Sequence, residues 1–289
     1  MRRFCIVIIG LAVLCAPIRA VAAGMDIGMT TWYCRWQPSW NNKNSGYRVE
    51  PAVFYGPGVS FRLPGNVTIS TNFLYARILA ETPVKILNLV NPSVSTRVIQ
   101  RYDSDSTIGY SFTAFFRLFL GFKYSRYNYV AEQMQLAPGI LWIFSGTREK
   151  YRYDNYAPAL GLNFKVHVVE HFFILITASF LYEQSHVFKS KYQYLISSGA
   201  SPMFFPYKDT RWAVNKLGAN ASLAFAYFIK PINTSISIGF RYQFFKTVKP
   251  KTDNDEYSEY YDHFYGLTAS AIYKIDFGKN IDRDEKEER

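Results

Sequence analysis

Cysteine is nearly absent. The 289 residues hold three, and two of them, Cys5 and Cys15, lie in an N-terminal segment that reads as a leader, so Cys34 stands alone in the rest of the chain. A single thiol excludes an intrachain disulfide and any metal cage built on paired cysteines. Histidine is scarce, with four residues, and neither an HExxH motif nor a glycine-rich phosphate loop occurs. Charge is sparse as well: 19% of residues are charged against 49% hydrophobic, which excludes a disordered chain. A mean hydropathy of −0.09 excludes a bundle of membrane helices. What the chain has in quantity is aromatic side chains, 23 Tyr and 24 Phe among them.

The first 23 residues carry their own signal. Arg2 and Arg3 precede an apolar stretch from Phe4 to Pro17, and Ala20, Val21, Ala22 and Ala23 follow as small residues suited to a signal peptidase. Residues 1–23 are therefore expected to be a cleaved export signal. The alternative, a single membrane anchor, needs a longer apolar span than this one. Leu14 occupies the place where a lipidation signal before Cys15 requires a small residue, so a lipoprotein is rejected. Loss of Arg2, Arg3 and Arg19 leaves 30 basic against 22 acidic residues, a mature charge of about +8.

Beyond the leader the chain repeats with a period of two. In Ser235–Phe244 every even position is apolar or aromatic (Ile236, Ile238, Phe240, Tyr242, Phe244) and every odd one is small or polar. Similar alternation occurs in Tyr265–Phe277, Tyr156–Val168 and Leu217–Ile229, and less cleanly in Ile27–Trp36, Val49–Arg62, Val67–Ile78 and Thr107–Arg117. Leu118–Tyr129 changes phase between Tyr124 and Tyr127, as a bulge would require. Phe172–Tyr182 is apolar on both faces and reads as a strand from length and composition. These are ten strands. Their connections alternate short and long: Pro64–Asn66, a link near Leu118, Val169–His171 and Pro231–Asn233 are tight, whereas Glu81–Asp103, Gln133–Asn155, Ser185–Asn215 and Pro250–Asp262 are long.

Short turns on one rim and long loops on the other, with a last strand that ends on Tyr273, Ile275 and Phe277, resemble a bacterial outer-membrane β-barrel protein over nearly the whole mature chain. The resemblance implies an all-β fold: a closed antiparallel up-and-down transmembrane barrel of about ten strands (8–12), spanning residues 24–277. It implies short periplasmic turns, long extracellular loops, outer-membrane lipid as solvent, and the barrel-assembly machinery as the reader of Tyr273, Ile275 and Phe277. The charged tail, residues 278–289, follows that terminus and is expected to be a solvated periplasmic end. The competing architecture is a lipocalin-type cup with the apolar face inward, because alternation alone does not say which face is outside.

In the barrel reading Arg62, Arg117, Lys123, Lys165, Arg241 and Lys274 share the polar, lumen face and outnumber the acids assigned there, Asp26, Glu50, Glu183 and Asp276. A barrel of this size is too narrow for a general-diffusion pore. A narrow channel with slight anion preference, admitting small anionic solutes, is one expectation; a lumen plugged by paired charges, in a barrel whose surface is structural or binds an extracellular partner, is the other. Trp32, Trp36, Trp40, Trp142 and Trp212 fall in the external half and are expected in an aromatic girdle at the outer rim. The segments Leu141–Phe144 and Met203–Tyr207 are apolar for loops and suggest a lid or a contact with lipid or protein.

The third and least favoured expectation is an outer-membrane hydrolase, which needs a nucleophile or activated water beside His and a carboxylate at the outer rim; no catalytic constellation, cofactor site or metal site is found. His167 and His171 lie near the periplasmic rim; His186 and His263 lie near the outer rim, beside Ser185 and Asp262, but sequence neighbours on a strand face opposite ways. Basic residues spread along a lumen form no patch on one element, which argues against nucleic acid.

Overall fold

The computed structural model describes residues 23–38, 48–83, 94–136, 143–197, 203–248 and 261–277. The leader up to residue 22, Trp40, Leu141, Trp142 and the charged tail 278–289 lie outside the described residues. Ten long strands follow in chain order: β1 (Gly24–Gln37), β3 (Ala52–Leu63), β4 (Val67–Pro83), β5 (Val94–Ser111), β6 (Phe116–Leu136), β7 (Ile143–Val169), β8 (Phe172–Ser197), β9 (Met203–Ile229), β10 (Thr234–Val248) and β11 (Tyr261–Asp276). A two-residue piece, β2 (Arg48–Val49), pairs with the outer end of β4.

Each long strand pairs antiparallel with its neighbours, β1 with both β3 and β11, and the remaining seam is closed by β4 against β5 from Val67↔Tyr110 to Pro83↔Val94. The ring is complete, so no open edge is left to place unpaired N–H and C=O groups in hydrocarbon, where each costs several kcal/mol. The tight turns gather on the periplasmic rim with both ends of the barrel. In the first, Gly65 and Asn66 both take positive φ, 76° and 65°, the conformation that a two-strand reversal of this hand needs and that glycine and asparagine supply cheaply.

Alternation resolves as the membrane reading requires. Ile236, Ile238 and Phe240 of β10, Leu223 and Phe225 of β9, Leu160 of β7 and Leu267 of β11 all point outward, with Ile238 65% exposed. Above this apolar band runs a belt of tyrosines: Tyr55 and Tyr75 (ring centroids 6.0 Å apart), Tyr75 and Tyr102 (5.0 Å), Tyr124 and Tyr156 (5.3 Å), joined by exposed Tyr33, Tyr182 and Tyr242. Tyrosine, apolar in body and polar at its tip, suits that boundary.

Four local expectations are corrected. The second tight turn is Phe112–Phe115, so Phe116 and Arg117 open β6 instead of ending the strand before it. That turn has no glycine or proline to mark it; the Thr113 hydroxyl accepts the amides of Phe115 (3.4 Å) and Phe116 (3.0 Å) instead. β6 keeps one register against both neighbours, without a bulge; the apparent phase change arises because Tyr127 points inward to a buried position while Arg126 points outward. The register shifts lie elsewhere, at His167/Val169 and Lys191/Tyr192. The expected loops Gln133–Asn155 and Ser185–Asn215 are largely strand, while Pro250–Asp262 lies outside the described residues up to 260: β7, β8 and β9 run 27, 26 and 27 residues and carry the wall well beyond the tyrosine belt. Ile143 and Phe144 thus open β7, and Met203–Tyr207 open β9, as β-prone apolar segments do.

A charge on the lipid face should be costly. Ile238→Arg is expected to destabilise the barrel by about 2–4 kcal/mol, read from denaturant unfolding in lipid, while the inward Ser237→Ala should change it by less than about 1 kcal/mol.

Candidate functional site: the barrel interior

The inward positions are layered. Nearest the periplasm the lining is small and polar: Gly28, Thr30, Ser60, Ser70, Asn72, Thr107, Asn163, Thr177 and Ser222. Two adjoining cavities of about 440 and 280 Å³ occupy this level and share Thr30, Asp105, Thr107, Phe119 and Thr177. Arg62 sits at the rim, 3.2 Å from Asp26 and 2.7 Å from Asp276. Lys165 lies 4.2 Å from the Phe173 ring centroid and Lys274 4.6 Å from that of Phe228. Arg117 lines the larger cavity over Gly109, where a Cβ would collide with its Nε at 2.2 Å.

Above the cavities five charges form a chain. Arg101 Nε and Nη2 donate to the two oxygens of Asp103 (2.8 and 3.2 Å), Lys123 Nζ bridges Asp103 (3.2 Å) and Asp105 (3.0 Å), and Arg241 Nη2 reaches Asp105 at 3.2 Å. Arg101, Asp103 and Lys123 are buried. In the ring of ten strands β10, which carries Arg241, is five places from β5, which carries Asp105, by either route. Their bond therefore crosses the full bore. A second cluster joins three strands, with Lys216 at 3.3 Å from Glu183 and 3.1 Å from Asp262.

The external half of the lumen is apolar and packed. Trp32, Trp36, Phe54, Leu74, Ile78, Ile99, Tyr127, Leu181, Phe245 and Phe264 belong to one buried cluster to which nine of the ten long strands contribute. β9 supplies Lys216, whose Nζ lies 6.0 Å from the Phe245 ring. Trp32 meets Phe54 at 5.3 Å; Trp36 stacks on Phe264 at 5.5 Å and meets Tyr127, across the bore, edge-on at 5.7 Å. The guanidinium of Arg101 sits 4.2 Å over Phe264 and that of Arg241 4.9 Å over Trp32, so charge layer and ring layer interlock by cation–π contact. Gln243, fully buried, has no partner at either amide atom.

The structure brings Lys123 and Arg241 into one cluster and spreads Arg62, Arg117, Lys165 and Lys274 near the periplasmic end. It moves Trp32 and Trp36 from the expected girdle into the lumen, because both occupy inward positions of β1, opposite Thr268 and Phe264. Trp212 stands on β9 above the belt, at the register position opposite the inward Val187. Tyr273 and Ile275 take outward positions of β11, and Phe277 follows its last residue. Arg101, Asp103, Asp105, Lys216 and Asp262 were missed as lumen charges. The signal for three of them was available: Arg101, Asp103, Asp105 and Thr107 alternate with Tyr102, Ser104, Ser106 and Ile108.

Beyond the membrane the interior holds Glu149, which accepts from Tyr151 at 2.6 Å and pairs with Lys189 at 2.8 Å. Burial works to raise its pKa, but the bonds from Lys189 and Tyr151 outweigh it and hold the carboxyl below its ordinary range. His186 and His263 face outward, His263 bonded to the Tyr242 hydroxyl at 2.8 Å, whereas Ser185 and Asp262 face the lumen, so neither sequence pair forms a dyad.

No protein-family model matches the chain, and no curated protein sequence is similar to it. Among solved structures it resembles the outer membrane protease OmpT of Escherichia coli (11% identity, 88% of this chain and 97% of that one, TM-score 0.50). Looser likenesses are to the translocator domain of the autotransporter NalP of Neisseria meningitidis (9%, 91% and 95%, 0.46) and the toluene transporter TodX of Pseudomonas putida (9%, 91% and 92%, 0.42). Such identities carry fold and nothing of activity. With a closed ring, an outward apolar band and a tyrosine belt, the chain has the fold of a ten-stranded, up-and-down transmembrane β-barrel, the fold seen in these outer-membrane proteins.

Proposed function

We propose that this protein is a non-conducting outer-membrane barrel that holds a rigid β-walled extension above the membrane as a structural or partner-binding surface. The observation that carries the reading is the Asp105–Arg241 bond across the bore, roofed by the Trp32, Phe54 and Phe264 layer. A permeating ion would have to break a desolvated ion chain and then pass a packed apolar layer. The excess of basic lumen residues is in large part spent internally: Lys123, Arg241 and Arg101 answer Asp103 and Asp105, and Arg62 answers Asp26 and Asp276. That weakens the case for anion preference.

A second reading, a narrow channel in which the plug rearranges, draws on the two cavities below the seal, the larger of which Arg117 lines. The leader, residues 1–23, belongs to the same proposal as a segment removed on export, and Tyr273, Ile275 and Phe277 as the segment that the assembly machinery engages.

Purified protein in a planar bilayer should show no reproducible unitary conductance, whereas Trp32→Ala combined with Phe54→Ala should open a small one. A steady, anion-selective conductance from the unaltered protein would overturn the proposal in favour of the channel. Lys216→Met takes from the buried Glu183 its Lys216 partner and should cost about 3–5 kcal/mol, measured as a lower unfolding midpoint in urea; an unchanged midpoint would mean that the cluster adds nothing to the plug. Intact mass of the outer-membrane form should correspond to a chain beginning at Gly24.

A further inference from the structure

At the periplasmic end of the lumen one cation stands apart from the rest. Arg117, half-buried at the start of β6, makes no hydrogen bond and no ion pair among the described residues, and its Nε is shut off from water. Arg62, by contrast, is held by Asp26 and Asp276, and Lys165 and Lys274 rest over the rings of Phe173 and Phe228. Packing alone fixes the Arg117 guanidinium: it lies across the main chain of Gly109 on β5, where a Cβ would collide with Nε and stand 2.9 Å from Cζ and Nη2. Any larger residue at 109 would push it off the wall. Arg117 lines the cavity of about 440 Å³, a volume within the range of small-molecule sites. The same wall offers further donors. Thr177 accepts from Asn163 Nδ2 at 2.7 Å and so keeps its own hydroxyl hydrogen for another acceptor; Ser70 and Thr107, 2.7 Å apart, share one hydrogen and keep the other. The two acids on this wall are already answered, Asp26 by Arg62 at 3.2 Å and Asp105 by Lys123 at 3.0 Å and Arg241 at 3.2 Å.

We propose that this cavity binds a small hydroxylated carboxylate of sugar-acid type, with its carboxylate on Arg117 and its hydroxyls on Ser70, Thr107 and Thr177. Three features select that chemistry. A buried N–H without an acceptor is costly to leave unmade, and the oxygens of an anion supply what the wall withholds. A single fixed guanidinium matches a single carboxylate, whose two oxygens fit its fork, whereas a doubly charged phosphate calls for a second free cation, and Lys165 and Lys274 are engaged with aromatic rings. Hydroxyls that both donate and accept suit the hydroxyls of a sugar acid, which a bare ion or an apolar chain would leave unused. Lys165 and Lys274, which form no ion pair among the described residues, add a positive field toward the mouth between the tight turns, where such a molecule enters. The site lies below the aromatic seal, so it stands whether or not the lumen conducts.

The test titrates the full-length mature barrel in neutral detergent with glucuronate, with glucose and with acetate, reading the heat of binding by calorimetry. Glucuronate should saturate one site per chain and bind at least about tenfold tighter than glucose, which lacks the charge, or acetate, which lacks the hydroxyls. Arg117→Gln should weaken glucuronate binding by about tenfold or more. Gly109→Ala keeps the charge but displaces the guanidinium, and should weaken binding to a similar degree. Arg152→Gln, on the outer wall, should leave it unchanged, with heat-modifiable gel migration confirming the fold of each variant. Absence of saturable glucuronate binding, equal binding of the three probes, or undiminished binding by Arg117→Gln or Gly109→Ala would each overturn the assignment. None of these results bears on the conductance measurement, so the site and the seal fail separately.

Discussion

Everything in this molecule depends on the seam between β4 and β5. Seventeen consecutive register pairs, from Val67↔Tyr110 to Pro83↔Val94, convert a ten-stranded meander into a ring. Hydrocarbon offers no partner to an unpaired backbone amide, so without that seam two strands would expose rows of donors and acceptors where each is worth several kcal/mol. Once the ring is closed, strand pleating does the remaining sorting: every second side chain faces lipid and the rest must be accommodated in a bore of fixed diameter.

That bore is where this barrel departs from a simple water-filled tube. Ten strands enclose more space than eight, and the chain fills it in two ways. Small residues such as Gly28, Thr30, Ser70 and Thr107 leave cavities on the periplasmic side, whereas Trp32, Trp36, Phe54 and Phe264 fill the external side. The ion chain from Arg101 to Arg241 lies at the junction, satisfied by its own members and capped by aromatic faces. Buried charges of this kind are costly unless every member is paired, and here the pairing across the diameter also holds opposite walls at a set distance. The seal is thus a mechanical brace as well as a barrier.

The outer wall follows the same economy of position. Tyrosines mark the membrane boundary, and the strands that continue past it, β6 to β9, change their outward residues from Leu160, Phe180 and Leu223 to Arg126, Arg152 and Arg211. Solvent changes from acyl chain to headgroup and then to water over that distance, and the side chains change with it.

The sequence by itself determined the strand number, three of the tight turns and which face of β10 and β11 meets lipid, because period two and turn chemistry are local properties of the chain. It misplaced the turn at Phe112–Phe115, where a threonine hydroxyl does the work that glycine or proline would have advertised. It also underestimated the outer ends of β5 to β9, where polar strands and polar loops have the same composition. Lys123 and Arg241 were legible as lumen charges from phase alone. Only the tertiary structure decided that Arg241 meets Asp105 and that Trp32 and Trp36 seal the bore instead of belting the membrane. Residues 136 apart in sequence become partners only when the closed ring sets β5 and β10 across one diameter, and no local pattern encodes that distance.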